Sequence, residues 1–278
     1  MINTIKLPKK SLDGIYGQVD YYSGQEDERK LREDLASFQY SNYLHEISKH
    51  HSIEVMDAEV EKFLKEIPHN GWILDIGGCW GWHWRNIAKK RPDVKVVILD
   101  FIRQNLSHAK NILHDDLENN FYLVHGNALS LDFSNETFDG VWSVQTTQHI
   151  PDYKNVLLEV FRVLKVNGSF ADYSFNIARL PQFIYYLFRK KYHLDGYLNG
   201  FYYLRRSNEN QKKLVCEIFK NKVECRYTEI FFQPELSFYQ SGVEGSFIGK
   251  LDSRISRFGV VLNFIARQKS FHVKKPLH

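Results

Sequence analysis

One short stretch holds the residues best suited to chemistry. Residues 73–81 read Ile-Leu-Asp-Ile-Gly-Gly-Cys-Trp-Gly, an apolar run ending in Asp75 and then a turn with Gly77, Gly78 and Gly81. Glycine lets a backbone take positive φ and come close to a ligand. A helix expected from Trp82 would aim free N–H groups and a positive dipole at an anionic ligand group. Asp100 follows Gly81 by 19 residues, at the tip of the next apolar run. A carboxylate so placed accepts hydrogen bonds from a ribose diol. The chemistry is that of holding a nucleotide-type cofactor. A dinucleotide fingerprint would need glycine at 77, 79 and 82, where this chain has glycine, cysteine and tryptophan.

Those residues need strands to carry them and helices to cover the strands. Apolar runs at Trp72–Ile76, Val94–Leu99, Phe121–Val124, Gly140–Val144 and Ser169–Tyr173 alternate with helical patterns at Trp82–Lys90, Arg103–Leu117 and Tyr153–Leu164. That rhythm predicts a parallel sheet with helices on both faces. Before it, residues 1–70 predict an N-terminal helical segment. Leu31, Leu35, Phe38 and Tyr43 form its expected buried stripe, and Met56–Ile67 is a further helix. After it, the pattern predicts a helix over Ser207–Phe219, strands near Glu224–Phe232 and Val260–Ala266, and a frayed tail over 269–278. The expected organisation is 1–70 as helical segment and lid, 71–175 as cofactor-binding core, 176–207 as a cap, 208–268 as completion of the sheet, and then the tail.

The spacing Asp75-x-Gly77-x-x-x-Gly81 resembles the first motif of class I S-adenosylmethionine (SAM)-dependent methyltransferases, with Cys79 in place of the middle glycine. The resemblance continues in order. His125-Gly-Asn-Ala128 stands where that family carries its adenine-side motif, with Asn127 in the acidic position. Phe138–Val144 resembles its fourth strand, Gln145–Pro151 the loop beyond, and Leu157–Gly168 the helix and turn before strand five. The resemblance implies a Rossmann-like, seven-stranded, mostly parallel sheet whose last strand is antiparallel, with a cap inserted after strand five. It also implies S-adenosyl-L-methionine as cofactor and S-adenosyl-L-homocysteine as product. Carried over residue by residue, Asp75, Gly77, Cys79 and Gly81 go to the methionine and ribose side and Asp100 to the ribose hydroxyls. Phe101 packs on adenine, Asn127 and Ala128 flank it, and Gln145 begins the loop beside the sulfur. A cysteine at 79 further implies that this position has no strict need for positive φ.

Other residues carry a functional and an ordinary reading side by side. His149, after the fourth strand, is the candidate base for a hydroxyl acceptor or a shaper of its loop. Thr146, Thr147 and Gln148 offer polar contacts there. Tyr16, Tyr21 and Tyr22 are candidate lid residues or plain packing. Trp80, Trp82 and Trp84 either wall the cofactor pocket or pack the turn on the sheet. Residues 181–203 contain nine aromatics, and residues 176–227 contain eleven Lys/Arg against four Asp/Glu. A basic, aromatic cap suits an anionic, aromatic or sugar-like acceptor, or one presented at a membrane surface; the ordinary reading is a solvated face over an aromatic core.

Composition excludes several classes. With 43% hydrophobic and 25% charged residues the 278-residue chain is neither disordered nor a coiled coil. A net charge of +4 demands no nucleic acid, and three scattered cysteines make neither a disulfide framework nor a zinc site. No run is long enough for a signal peptide or a spanning helix, so a cytoplasmic protein is expected. The expectation is thus a methyltransferase acting on a small molecule without a metal. The alternatives are a non-catalytic SAM- or nucleotide-binding protein and an NAD-linked oxidoreductase.

Overall fold

The computed structural model describes residues 5–19, 26–176, 178–190, 208–234, 239–255 and 260–277. Its strands are β1 (Trp72–Ile76), β2 (Lys95–Asp100), β3 (Phe121–His125), β4 (Phe138–Val144), β5 (Leu164–Phe175), β6 (Glu224–Thr228) and β7 (Gln268–Lys274). They form one sheet in the order β3-β2-β1-β4-β5-β7-β6, in which β7 runs antiparallel to both neighbours. The expected α/β sheet with a reversed last strand is therefore present. The order turns around between β1 and β4. In such a sheet the crevice at the carboxyl ends of the strands on either side of that point receives a ligand.

The two faces are built by alternation. Every residue of β1 is buried. Ile73 joins a cluster with Ile98, Leu106 and Leu113, whereas Leu74 and Ile76 join Val97, Val156 and Val160 on the opposite face. Helices α3 (Ile53–Leu64) and α5 (Arg103–Leu113) cover the first face. Helices α6 (Tyr153–Val163) and α8 (Asn208–Phe219) cover the second.

Several elements differ from the sequence expectation, each for a local reason. The helix expected over Trp82–Lys90 is a 3₁₀ turn, Trp82–Trp84, followed by a short α4 (Ile87–Lys90). Trp82, His83 and Trp84 are all buried, and successive α-helical residues point about 100° apart, so one helical face cannot bury all three. The N-terminal pattern splits into α1 (Glu26–Ala36) and α2 (Tyr43–Ser48). Leu35 and Phe38 are exposed, not buried, and Ala36 takes the inward position; the helix stops before Phe38, which leaves its register.

The strand expected at 260–266 is corrected too. Val260–Phe264 is a 3₁₀ turn, and β7 occupies residues assigned to the tail. Its alternation is hard to see in the sequence because Lys269 and Ser270 are buried along with Phe271 and Val273. Helix α9 (Phe247–Ile255) packs on α3, and α7 (Arg179–Leu187) is the described helix within residues 176–207, the segment expected as a cap. Tyr192, Tyr197, Phe201, Tyr202, Tyr203, Arg205, Arg206 and Ser207 lie outside the described residues.

Tyr16 is not over the crevice. Its N–H donates to Leu123 O at 2.8 Å and its carbonyl accepts from His125 N–H at 2.8 Å, so the segment lies along the outer edge of β3. A covered edge cannot pair with another chain. Tyr21 and Tyr22 are outside the described residues.

Candidate active site

The carboxyl ends of β1, β2, β3 and β4 open into a cavity of about 510 Å³, roofed by α1, α2 and the residues after them. That size suits a small-molecule site. Gly77, Cys79, Asp100, Phe101, Asn127 and Ala128 line one half, and Gln145 and His149 are also on its wall. The structure thus brings together eight of the ten residues expected to form the site.

Asp75 and Gly81, unlike the other eight, do not line the cavity. The Asp75 carboxylate lies under the turn, where Trp84 Nε1–H donates to its Oδ2 at 2.7 Å. Burial pushes that carboxyl up to about 7, against the pull of the Trp84 hydrogen bond. A Cβ at Gly78 would fall on the same carboxylate, so this acid fixes how the turn sits on the strand. Gly81, at φ 67°, backs onto Ile98 and Leu113, where a Cβ would clash. Gly77, at φ 68°, leaves room for Thr146.

Cys79 has φ 50°. The expectation that position 79 has no strict need for positive φ does not hold: the turn puts it in the left-handed conformation, and a non-glycine residue adopts it. Gln145 does the same at φ 50°. Strained backbone of this kind costs about 1–3 kcal/mol and persists where the surroundings impose it.

Asp100 is buried and organised. Its Oδ1 accepts from Ile102 N–H (2.8 Å) and Asn105 Nδ2–H (3.2 Å), and its Oδ2 accepts from Cys79 N–H (2.9 Å). Burial raises its carboxyl pKa and these donors lower it. A carboxylate has about four acceptor positions, so one ribose contact remains available. The Asn127 side chain turns back to accept from Leu129 N–H at 3.0 Å.

The loop after β4 is tied down from below. Thr147 Oγ1 and Tyr153 OH donate to the buried Asp172 carboxylate at 2.9 and 2.8 Å. Gln148 Oε1 accepts from Phe175 N–H at 2.8 Å. That fixes the amide, so Gln148 Nε2–H faces His149 Nε2 at 3.1 Å and occupies its lone pair.

The tryptophans divide the two readings between them. Trp84 is core, at 5.6 Å from Trp142. Trp80 and Trp82 line the cavity. Trp80 packs 4.6 Å from Tyr40, 5.2 Å from Tyr43 and 5.6 Å from His108, which joins the roof to the glycine turn.

The other half of the cavity was not foreseen. His51, His83, Phe175 and Arg267 line it, together with Trp82 and Ile150. His83 stacks on Trp82 at 3.9 Å, and neither of its ring nitrogens has a hydrogen-bond partner; His51 Nδ1 and Arg267 Nε have none either. Burial, aided by the Arg85 charge, lowers the His83 imidazole to about 3, and burial holds His51 well below its ordinary value. Both rings are neutral at neutral pH. The Arg267 guanidinium lies over Phe175 (4.7 Å) and Phe232 (5.2 Å) and pairs with the buried Glu229 at 2.9 Å. The charge in this half is therefore already balanced. Among the described residues, no group of three or more His, Cys, Asp or Glu is placed to hold a metal. Neither His51 nor His83 stands in a recognisable motif, and Arg267 became legible only with β7 in place.

Comparison with known proteins gives this geometry a context. Residues 74–171 match the family model described as "Methyltransferase domain". Over 139 residues the chain is 32% identical to 24-methylenesterol C-methyltransferase 2 of Oryza sativa subsp. japonica, covering 50% of this chain and 38% of that one. Over 110 residues it is 37% identical to demethylmenaquinone methyltransferase of Lactococcus lactis subsp. lactis, covering 39% and 44%. The matches span less than half the length of these curated relatives. Among solved structures, phosphoethanolamine N-methyltransferase 2 of Haemonchus contortus, in complex with S-adenosyl-L-methionine, superposes with a TM-score of 0.55 at 18% identity, over 79% of this chain and 52% of that one. At that identity the likeness is one of fold.

Proposed function

We propose that this chain, whose residues 74–171 match a family model described as a methyltransferase domain, is a class I SAM-dependent methyltransferase that moves a methyl group to a small, largely apolar acceptor bearing an oxygen function. One observation carries the reading: a single cavity joins the glycine turn and Asp100 to a second half walled by Trp82, Phe175 and neutral imidazoles. SAM, when bound, supplies an already activated sulfonium methyl. The chain's own residues bind, orient and exclude water. Asp100, with one acceptor position open, would take a ribose hydroxyl, and Phe101, Asn127 and Ala128 would flank the adenine. Gln145 and Thr146 fix the floor between the two halves. The roof from α1 and α2 keeps solvent out, and alignment of donor and acceptor within roughly 3–3.5 Å is the main catalytic demand.

The acceptor half favours an uncharged group. Arg267 is balanced by Glu229 and the histidines are neutral, so none of these three offers an unbalanced charge to an anionic acceptor. The relatives named for sterol and demethylmenaquinone methylation support an apolar acceptor. His149 is a positioning residue in this reading, because Gln148 holds its lone pair; it takes a proton from a hydroxyl acceptor only when that amide swings away.

Calorimetric titration of S-adenosylhomocysteine into wild type, Asp100→Ala and Asp100→Asn tests the cofactor half. Affinity should fall roughly tenfold or more in the alanine variant, the size expected for a lost hydrogen bond from a ribose hydroxyl to a carboxylate. Folded wild type that binds neither SAM nor S-adenosylhomocysteine would sink the reading and favour a different nucleotide. Transfer of labelled methyl from SAM to hydroxylated apolar acceptors then separates an enzyme from a binder.

A further inference from the structure

We propose that α7 is an interfacial anchor whose outward face seats on an anionic lipid surface. The helix leaves the end of β5, beside Phe175 on the cavity wall, and packs against the 260–264 turn. Pro181 and Tyr185 turn inward, and Tyr185 OH donates to Gln233 Oε1 at 3.1 Å. The opposite face is apolar and, among the described residues, uncovered. Leu180, Phe183 and Leu187, at helical spacing, are 49%, 57% and 60% exposed, and Tyr186 and Phe188 are 78% and 67% exposed. Phe264 of the adjoining turn is 57% exposed. A helix facing only water carries polar residues there. A contiguous apolar patch of this kind marks a protein or membrane contact.

Charge chooses between the two. Residues 176–190 contain no Asp or Glu. Arg179 at the start of the helix and Arg189 and Lys190 at its end are exposed. An apolar face of Phe, Leu and Tyr with cations at both ends is the pattern of a helix lying in the headgroup region, where apolar burial and attraction to anionic lipid add. The aromatic rings belong at that depth, and the Arg and Lys heads reach the phosphates. No helix among the described residues is long and apolar enough to cross a membrane, so the contact is peripheral. A short helix with a few cations gives reversible binding. This surface stands independently of methyl transfer, although it would let an apolar acceptor enter the cavity from the bilayer.

Vesicle co-sedimentation of the full chain tests it, using phosphatidylcholine vesicles with and without phosphatidylglycerol. Wild type should partition roughly tenfold or more in favour of the anionic vesicles, and added salt should weaken the preference. Phe183→Ser/Phe188→Ser should lower partitioning by roughly tenfold or more on both vesicle types. Arg189→Glu/Lys190→Glu should abolish the preference for phosphatidylglycerol. S-adenosylhomocysteine affinity, measured on the same samples, should be unchanged in both variants; this shows that they are folded and keeps the result separate from the cofactor reading. Wild type remaining in the supernatant with both vesicle types overturns the proposal, as does sedimentation of both variants like wild type. So does a dimer in sedimentation velocity that Phe183→Ser/Phe188→Ser dissociates, which would make the face an interface between two copies.

Discussion

Cys79 and Gln145 hold positive φ without being glycine, and both line the cavity. Cys79→Gly should therefore raise stability by roughly 0.5–1 kcal/mol in urea denaturation while leaving S-adenosylhomocysteine affinity unchanged. A loss of stability instead would mean that thiol packing outweighs the strain. Two buried groups give opposite pH dependences. The Asp75 carboxyl, raised from 3.8 to about 7, holds its proton more tightly folded than unfolded, so its contribution to stability falls as pH climbs through that window. The His83 ring, lowered from 6.5 to about 3, does the reverse, and its contribution rises with pH over that range. Relative to wild type, Asp75→Asn should gain stability between about pH 4 and 7, by a shift on the order of 4 kcal/mol. His83→Gln should lose its relative advantage over nearly the same range. Denaturation at several pH values would show both trends, and parallel curves would refute them. At this scale the cofactor half was legible, because glycines and a following acid have a known spacing. The place of Asp75 beneath the turn was not legible, since the same acid can face a ligand or hold the turn from below, and its bond from Trp84 appears only in the fold. His51, His83 and Arg267 come from three distant segments and carry no spacing to read.

The elements were most legible where burial follows a single period. The near-continuous apolar run of β2 and the alternating faces of β1 and α6 stand out because both neighbours demand them. The pattern failed where three consecutive aromatic residues are all buried, as at Trp82–Trp84, and where polar residues are buried in a strand, as in β7. Strand β7 joins β5 to β6 along its length, with Phe271 opposite both Asp172 and Cys225. Phe271 packs into the second core cluster. Phe271→Ala should cost about 3–5 kcal/mol, more than a substitution on the exposed side of α6 such as Leu158→Ala. Thermal unfolding of the two variants checks this, and equal midpoints would show that β7 is peripheral to stability. The loop after β4 is also an element-scale device: Thr147 and Tyr153 share the Asp172 carboxylate, so Thr147 holds the cavity floor from behind.

Across the whole molecule the cavity is closed by parts far apart in the chain: the glycine turn, the ends of β2 to β5, the α1–α2 roof and Arg267 before β7. A ligand that bridges them stabilises all of them together. S-adenosylhomocysteine at about a hundredfold over its Kd should add about 2.7 kcal/mol to unfolding and slow amide exchange in residues 32–51, and NAD should do neither. Equal protection by both would return the oxidoreductase alternative. The same long-range construction bears on synthesis. Residues 224–228 leave the ribosome well before residues 268–274, and among the described residues the only strand neighbour of β6 is β7. Until translation has passed Lys274, the nascent sheet ends at β5 and β6 waits with its backbone groups unpaired, which is the kind of edge that other chains can join. The interval between those two segments is thus the period in which a nascent-chain chaperone has most to protect.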